Sequence, residues 1–153
     1  MTDATPLLQV RNLSVRAGRA VDAPEILRDI SFSLESRRIL GVIGGGGSGK
    51  TTLARGIVNW LAPPLRVSAG QVLFRGRDIL TLAPDEARRL RGKAIAYVGG
   101  DPAGAMDPTM TVGAQIVEKL RAVDPGVSRR EAKERVIALL SAVRIPTPEQ
   151  RFN

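Results

Sequence analysis

The stretch Gly44-Gly45-Gly46-Gly47-Ser48-Gly49-Lys50-Thr51-Thr52 decides how this sequence is interpreted. It follows an apolar run, Ile39-Leu40-Gly41-Val42-Ile43, and leads into a helical pattern from Leu53 to Leu61. A strand, a glycine-rich loop and a helix, in that order, are the context that the phosphate-binding motif G-x-x-x-x-G-K-[ST] requires. We therefore predict that this loop binds the phosphates of a nucleotide. The alternative is a glycine-rich turn that happens to precede Lys-Thr.

Each residue type in the loop has a chemical role in binding a nucleotide. Glycines let the backbone fold around a polyphosphate with successive N–H groups pointing inward. A helix that begins at Lys50 adds unpaired N–H groups and the positive end of its dipole. Lys50 can reach the β- and γ-phosphate oxygens, and the hydroxyl of Thr51 can ligate Mg²⁺. The predicted cofactor-binding residues are Gly44, Gly45, Gly46, Gly47, Ser48, Gly49, Lys50, Thr51 and Thr52.

The composition restricts the chemistry. The 153 residues suffice for one domain with a core, and 43% hydrophobic and 25% charged residues are ordinary for a globular protein. Cysteine and histidine are absent, which excludes disulfides, thiolate or imidazole metal sites, and histidine acid–base catalysis. No apolar run approaches the ~20 residues that span a bilayer. The N-terminus lacks the pattern of a signal peptide, so a cytosolic location is expected.

The formal charge of +8, from 23 basic and 15 acidic residues, raises the alternative of nucleic-acid binding. The basic residues are scattered along the chain, however, and aromatic residues make up only 3% of it. A base-stacking platform needs aromatic side chains among the cations. A solvated basic surface is therefore the preferred interpretation, and no nucleic-acid partner is expected.

Two half-exposed strands precede the loop. Residues 7–15 alternate apolar and polar side chains with an interruption at Asn12, and residues 26–34 alternate again after a polar hairpin loop. Ile39–Ile43 is apolar throughout, as expected of a strand covered on both faces. The pattern predicts a small antiparallel layer joined to a parallel α/β core.

The rest of the chain alternates helices with short strands. We predict a helix over 50–61 that Pro63-Pro64 ends, a strand over 70–74, and a helix from Pro84 through Leu90. A buried strand over 94–98 and a long irregular loop over 99–108 follow, and then a helix over 111–123. Ser128 and Glu131 form a capping box for a last helix. That helix should bury Ala132, Val136, Leu139, Leu140 and Val143.

At this point the sequence resembles the ATP-binding subunits of ABC transporters, and among them the oligopeptide, dipeptide and nickel importer branch. The resemblance covers residues 7–153. Beyond the phosphate-binding loop it rests on Gly70–Ile79, Ile95–Val98, Asp101-Pro102, Met106–Pro108, Thr109–Gly113, Gln115-Ile116 and Arg144–Arg151. It implies an α/β P-loop NTPase fold of the ABC ATPase type with an N-terminal antiparallel β layer. The implied parts are that layer at about 7–38, a P-loop core at about 39–110 and the start of a helical subdomain at about 111–153.

The resemblance also implies cofactors and partners. ATP and Mg²⁺ are the implied cofactors, with the N–H groups of Gly47, Ser48 and Gly49 around the β-phosphate. Two such subunits are implied to sit on the cytoplasmic face of the membrane, bound to two permease subunits. ATP lies between the loop of one subunit and a signature loop of the other. The segment 99–108 should face the permease.

Several departures from the family pattern accompany the resemblance. The sequence to Asn153 holds no signature loop, no Asp-Glu after a Walker B strand and no histidine. We therefore expect a fragment of the domain that has no catalytic residue of its own and does not hydrolyse ATP alone. In a fragment, the segments 39–43 and 94–98 would be incompletely covered.

Three further departures lie inside the matched region. Ala17 stands where an aromatic residue commonly stacks on adenine, and Gly100 stands at the position of a glutamine that contacts Mg²⁺ and water. Gly45 and Gly46 replace Glu and Ser, and each extra glycine raises the ordering cost by roughly 0.5–1 kcal/mol. The main alternative is therefore a module that binds nucleotide without hydrolysing it.

Overall fold

The computed structural model describes residues 5–20, 22–101 and 104–153. The elements follow in the order β1 (Leu8–Ala17), β2 (Glu25–Leu34), α1 (Lys50–Ile57), β3 (Leu65–Phe74), β4 (Arg77–Asp78), a 3-10 turn (Ile79–Thr81), α2 (Pro84–Lys93), α3 (Val112–Val123), α4 (Arg129–Ala142) and α5 (Pro148–Arg151). They form two compact units, one up to Arg91 and one from Gly92 onward.

The first unit is built on a four-stranded antiparallel sheet in the order β2-β1-β3-β4. This confirms the predicted N-terminal antiparallel layer. The sheet is larger than the predicted span of about 7–38, because β3 and β4 pair into it. β3 also begins at Leu65, five residues before its predicted start, since Leu65 to Ala69 pair with the end of β1.

A bulge bends β1 at Asn12, the residue at which its alternating pattern is interrupted. Asn12 has a φ of 49°, and the register with both neighbouring strands shifts there. Its side-chain amide donates a hydrogen bond to the Asp29 carboxylate at 2.6 Å. Gly70 of β3 faces the bulge with a φ of 95°. Residues of three strands, β1, β2 and β3, therefore form the bulge.

Helix α1 packs on this sheet. Gly56 brings the helix close to β1, because a Cβ built there would lie 3.7 Å from Leu13 Cδ2 and 3.9 Å from Val15 Cγ2. Leu53 of α1 is buried with Leu13 and Val15. The helix ends at Ile57, four residues before the predicted Leu61. Asn59 adopts the left-handed conformation, with a φ of 50°, and terminates it.

Two predicted strands are absent. The segments 39–43 and 94–98 have no regular secondary structure. Ile39 and Ile43 are 98% and 99% exposed, and Val98 is 92% exposed. The prediction of strands covered on both faces is wrong here, because no described strand pairs with either segment. A buried strand needs neighbours for its backbone groups. The exposure agrees with the expectation of incomplete cover.

The second unit contains α3, α4 and α5. The Ser128 hydroxyl caps α4 by accepting from the Glu131 N–H at 3.2 Å. The Glu131 carboxylate instead accepts from Arg135 at 2.6 Å, so only half of the predicted capping box forms. Helix α4 buries a single stripe at four-residue spacing, Ala132, Val136 and Leu140. Leu139 and Val143 lie beside this stripe and are exposed, so their predicted burial is wrong.

Phe152 joins the start of α3 to the end of the chain. The Gly113 N–H donates to the Phe152 carbonyl at 2.9 Å. A Cβ at Gly113 would lie 2.6 Å from the Phe152 ring, so the close approach requires glycine. Lys133 of α4 places its ammonium 5.2 Å from the centre of the same ring. No helix in the described part of the chain is long and apolar enough to cross a membrane.

Candidate nucleotide-binding site

The loop 44–49 ends in backbone conformations that expose N–H groups. Gly47 and Gly49 have φ values of 73° and 88°, and Gly49 directly precedes the first residue of α1. A left-handed residue next to a right-handed one turns successive N–H groups toward the same concavity, which binds anions. The first hydrogen bond of α1 runs from the Leu53 N–H to the Gly49 carbonyl at 2.8 Å.

The N–H groups before Leu53 are largely available to a ligand. Within the loop, the Ser48 N–H donates to the Gly45 carbonyl over a long 3.4 Å. No described residue accepts a hydrogen bond from the N–H groups of Gly47, Gly49, Lys50 or Thr51. These are the unpaired donors of a helix start, and no side chain caps them. The loop is therefore a set of free donors at the positive end of a helix dipole.

Lys50 places its charge inside the loop. Its ammonium donates to the carbonyls of Gly44 and Gly45, each at 2.7 Å, and to the Ser48 hydroxyl at 3.3 Å. No described carboxylate forms an ion pair with it. Because these acceptors are neutral, phosphate oxygens could replace them with stronger, charge-assisted hydrogen bonds.

Gly49 is held against β2. A Cβ there would lie 2.8 Å from Leu27 Cδ2 and 3.4 Å from the Ile26 carbonyl oxygen. Gly45, Gly46 and Gly47 have no atom within 4 Å of that position. The sequence motif did not reveal Leu27, because its contact with the loop is purely tertiary. Leu27 is buried and supports the point where the loop becomes a helix.

The loop also fits a magnesium ion, through oxygen ligands. Thr51 is exposed on the first turn of α1. No cluster of three or more acidic residues that could hold a metal exists among the described residues. Mg²⁺ keeps several waters and takes one or two protein oxygens together with substrate phosphates. Thr51 would hold such an ion, which would neutralise phosphate charge.

A family model described as ABC transporter matches residues 27–153. The chain belongs to the ABC transporter family. The structure agrees, because it superposes on the dimeric structure of a bacterial ABC transporter cassette with a TM-score of 0.76. That match covers 92% of this chain and 58% of the cassette at 17% identity, which shows the fold alone. The ABC ATPase type of fold predicted from the sequence is confirmed.

Curated relatives in this family carry transport names. The dipeptide transport ATP-binding protein of Lactococcus lactis subsp. cremoris is 33% identical over 96% of this chain and 42% of its own length. The oligopeptide transport ATP-binding protein of Bacillus subtilis is 34% identical over 100% of this chain and 43% of its own length. A putative peptide import ATP-binding protein of Brucella abortus is 38% identical over 97% of this chain and 44% of its own length. The chain therefore spans about two fifths of the length of these relatives.

Two of the positions named above as departures from the family pattern, Gly100 and Ala17, offer little to a ligand. Gly100 is exposed, and a Cβ there would meet no atom within 4 Å. It has no side chain to reach a metal or a water molecule. Ala17 ends β1, where its N–H donates to the Pro24 carbonyl at 2.9 Å. A methyl group provides no face on which a base could stack.

The segment after Gly100 contains an ordered turn that the sequence motif did not predict. Gln115 of α3 accepts from the Asp107 N–H at 2.9 Å and donates to the carbonyls of Asp107 and Met110 at 2.9 and 3.2 Å. The Asp107 carboxylate accepts from the hydroxyl and the N–H of Thr109 at 2.7 and 2.8 Å. One glutamine therefore ties this turn to α3.

We predict that Thr109→Val raises the pKa of Asp107. The Thr109 hydroxyl, and then its N–H, lower this pKa from its ordinary value of 3.8, and valine removes the hydroxyl while keeping the shape. A lowered pKa stabilises the folded turn above the unfolded value, and this contribution disappears as the pH falls through the folded pKa. A carboxyl-carbon NMR titration measures the shift, with Thr81→Val, whose hydroxyl donates to the Asp78 carbonyl outside this turn, as the control. An unchanged Asp107 pKa in Thr109→Val would contradict the assignment.

Proposed function

We propose that this chain binds ATP with Mg²⁺ at Gly44–Thr52, as part of the energy-coupling subunit of an ABC importer for peptides or similar small solutes. The observation that supports it best is the combination of free N–H groups and the unpaired Lys50 charge in one loop at a helix start. Relatives named as dipeptide and oligopeptide transport ATP-binding proteins support the solute class.

Binding follows from an exchange of acceptors. Phosphate oxygens replace the Gly44 and Gly45 carbonyls around Lys50, while the N–H groups of Gly47 and Gly49 turn to the β-phosphate. The Ser48 N–H can also donate to the phosphate, because its present hydrogen bond to the Gly45 carbonyl is long. Thr51 would hold Mg²⁺, which would neutralise part of the phosphate charge. The contacts with phosphate pair an anionic ligand with donors that the loop already holds at the start of α1, which keeps the entropic cost low.

Hydrolysis and transport belong to the whole assembly in this proposal. A second ATP-binding subunit and the permease subunits complete it on the cytoplasmic face of the membrane. Positioning and electrostatics dominate phosphoryl transfer, and the loop contributes only part of them. Gly100, which lacks a side chain, favours a second candidate function: a module that binds nucleotide without hydrolysing it.

The substitution Lys50→Ala tests binding. We expect it to weaken the affinity for a fluorescent ATP analogue with Mg²⁺ by at least about tenfold, because charge-assisted hydrogen bonds contribute about 1.5–3 kcal/mol. Lys119→Ala removes an exposed lysine of α3 and should change the affinity less than about twofold. The measurement is a titration followed by fluorescence, with and without Mg²⁺.

Equal, weak signals from the wild type and Lys50→Ala would reject nucleotide binding at this loop. Released phosphate, measured in the same mixtures, separates the two candidate functions. Binding without phosphate release supports the non-hydrolysing module for the isolated chain. Phosphate release that Lys50→Ala abolishes would contradict that module.

A further inference from the structure

Arg91 joins α2 to the far end of the helix that begins at the phosphate-binding loop. Its guanidinium donates from Nη1 to the Val58 carbonyl at 3.3 Å and to the Asn59 carbonyl at 3.0 Å. Both carbonyls stand where α1 ends, because the helix extends to Ile57 and Val58 is its C-cap. Arg91 therefore places a positive charge at the negative end of the α1 dipole.

The carboxyl end of α1 depends on these contacts for its hydrogen bonding. The N–H groups of residues 58–60 close the last turn onto carbonyls within the helix. The carbonyls of Val58 and Asn59 lie beyond that turn and accept from Arg91 instead. Asn59 adds a second link, since its side-chain amide donates to the Ile79 carbonyl at 3.2 Å. The end of α1 is thus tied to α2 and to the 3-10 turn before it.

Arg91 differs from the other arginines of α2, which interact within their own helix. Arg88 pairs with the Asp85 carboxylate, and Arg89 donates to the Asp85 carbonyl at 3.4 Å. Arg91 is half-buried, whereas Arg89 is exposed. Arg91 forms no ion pair with any carboxylate of the described residues. Its charge is directed at the carbonyls of α1, where partial burial strengthens a charge-assisted hydrogen bond.

Helix α1 is held at both ends and along one side. Gly49 at its start lies against Leu27 of β2, Gly56 lies against β1, and Arg91 holds its end. Its eight residues rise by only about 12 Å, so the helix moves as one rigid element. A displacement at its carboxyl end therefore reaches the loop. The loop is seated closely on β2, and a small shift of α1 would change the direction of its N–H groups.

We propose that Arg91 is a positioning residue for the phosphate-binding loop. By holding the carboxyl end of α1, it fixes the direction of the N–H groups of Gly47 and Gly49 at the opposite end. Donors that are already oriented bind a ligand more tightly than donors that binding must first order. Arg91 acts through α1 and not by contact with phosphate, since the length of the helix, about 12 Å, lies between them. The consequence for nucleotide affinity rests on the function proposed above, whereas the consequence for loop geometry does not.

Amide chemical shifts test the loop geometry in the absence of nucleotide. The 153-residue chain is produced with ¹⁵N-labelled glycine, which makes the amides of Gly47 and Gly49 visible. Arg91→Met removes the guanidinium and keeps an apolar stem, and we expect it to shift both resonances. Arg89→Met removes an exposed arginine of the same helix and should leave them unchanged. Arg91→Lys keeps a charged donor near the end of α1, so both resonances should return toward their wild-type positions.

Nucleotide affinity is the second measurement. Arg91→Met should weaken binding of a fluorescent ATP analogue with Mg²⁺ by about fivefold, and Arg91→Lys by less than about twofold. Val72→Ala is the control for stability, because it leaves a cavity at a buried residue of β3, outside α1 and α2. It should change the affinity by less than about twofold. Circular dichroism verifies that each variant is folded. Arg91→Gln, which keeps a neutral donor, replaces Arg91→Met if that variant does not fold, with an expected loss of about threefold.

Unchanged resonances of Gly47 and Gly49 in folded Arg91→Met would overturn the proposal. An affinity loss in Val72→Ala as large as that in Arg91→Met would also overturn it, because the loss would then follow stability and not the position of α1. The failure of nucleotide binding has a different signature. Shifted resonances in Arg91→Met, together with a wild type that binds no nucleotide, would support the positioning role of Arg91 and reject the proposed function alone.

Discussion

The substitution Gly49→Ala should destabilise the protein by about 2–4 kcal/mol and abolish most nucleotide binding. Gly49 has a φ of 88°, and the left-handed region costs an L-residue about 1–2 kcal/mol. Its Cβ would also lie 2.8 Å from Leu27 Cδ2, and overpacking a core costs about 1–3 kcal/mol. The loop must move away from β2 to relieve both, and the N–H groups then lose their common direction.

Urea denaturation provides the measurement. Trp60 is the single tryptophan and follows α1 closely, so its fluorescence reports on the first unit. Gly46→Ala is the matched control in the same loop, because a Cβ there has no atom within 4 Å and the φ is not positive. We expect Gly46→Ala to leave the free energy of unfolding unchanged or to raise it by about 0.4–1 kcal/mol, because alanine lowers the conformational entropy of the unfolded chain.

A double-mutant cycle with Leu27→Ala separates the two causes of the Gly49→Ala effect. If the clash contributes, Leu27→Ala should cost less in the Gly49→Ala background than in the wild type. A cost that is the same in both backgrounds would attribute the whole effect to the backbone conformation. A Gly49→Ala variant as stable as Gly46→Ala would contradict the packing of the loop on β2.

The substitution Gly70→Ala should have an effect of similar or larger size, about 3 kcal/mol or more. Gly70 has a φ of 95°, and a Cβ there would lie 2.6 Å from the Arg11 carbonyl oxygen and closer still to that of Asn12. Both obstacles are backbone atoms of β1 at its bulge. They cannot move aside as a flexible side chain would, so the sheet must open locally between β1 and β3.

Gly56→Ala is the control for this prediction. A Cβ at Gly56 would make ordinary contacts at 3.7 and 3.9 Å, and alanine is favoured over glycine inside a helix by about 0.8–1 kcal/mol. We therefore expect a stability gain of up to about 1 kcal/mol, opposite in sign to Gly70→Ala. Both variants are measured by urea denaturation followed by circular dichroism and Trp60 fluorescence. Similar losses for both variants would contradict the close approach at the bulge.

The local sequence pattern was sufficient to locate many of the helices and strands. Thr111 and Ser128 cap α3 and α4 through interactions a few residues away. The proline at the start of α2 acts at the same range. The Asn12 interruption also appears as a real bulge. Such features depend on neighbours in the chain, so a sequence displays them directly.

The sequence pattern predicted burial wrongly where a residue is covered only by segments that are distant along the chain. The apolar segments 39–43 and 94–98 have the composition of buried strands, yet no described strand pairs with them. Leu139 and Val143 fit the helical period of α4, but its buried stripe is too narrow to include them. Periodicity shows which face is apolar, whereas the elements that cover this face decide its burial.

The candidate site shows the same division. By itself the sequence determined where a phosphate-binding loop is predicted, because glycines, Lys50 and Thr51 form the motif through their spacing along nine consecutive residues. Only the tertiary structure decided which glycine is closely packed, since a Cβ at Gly49 would contact Leu27 of β2 while one at Gly45 or Gly46 would contact nothing within 4 Å. It alone also brought basic residues of α3 and α4 together beside Phe152. The physical reason is range: backbone conformation and capping act locally, whereas close packing and charge clustering need chain segments that only folding brings together.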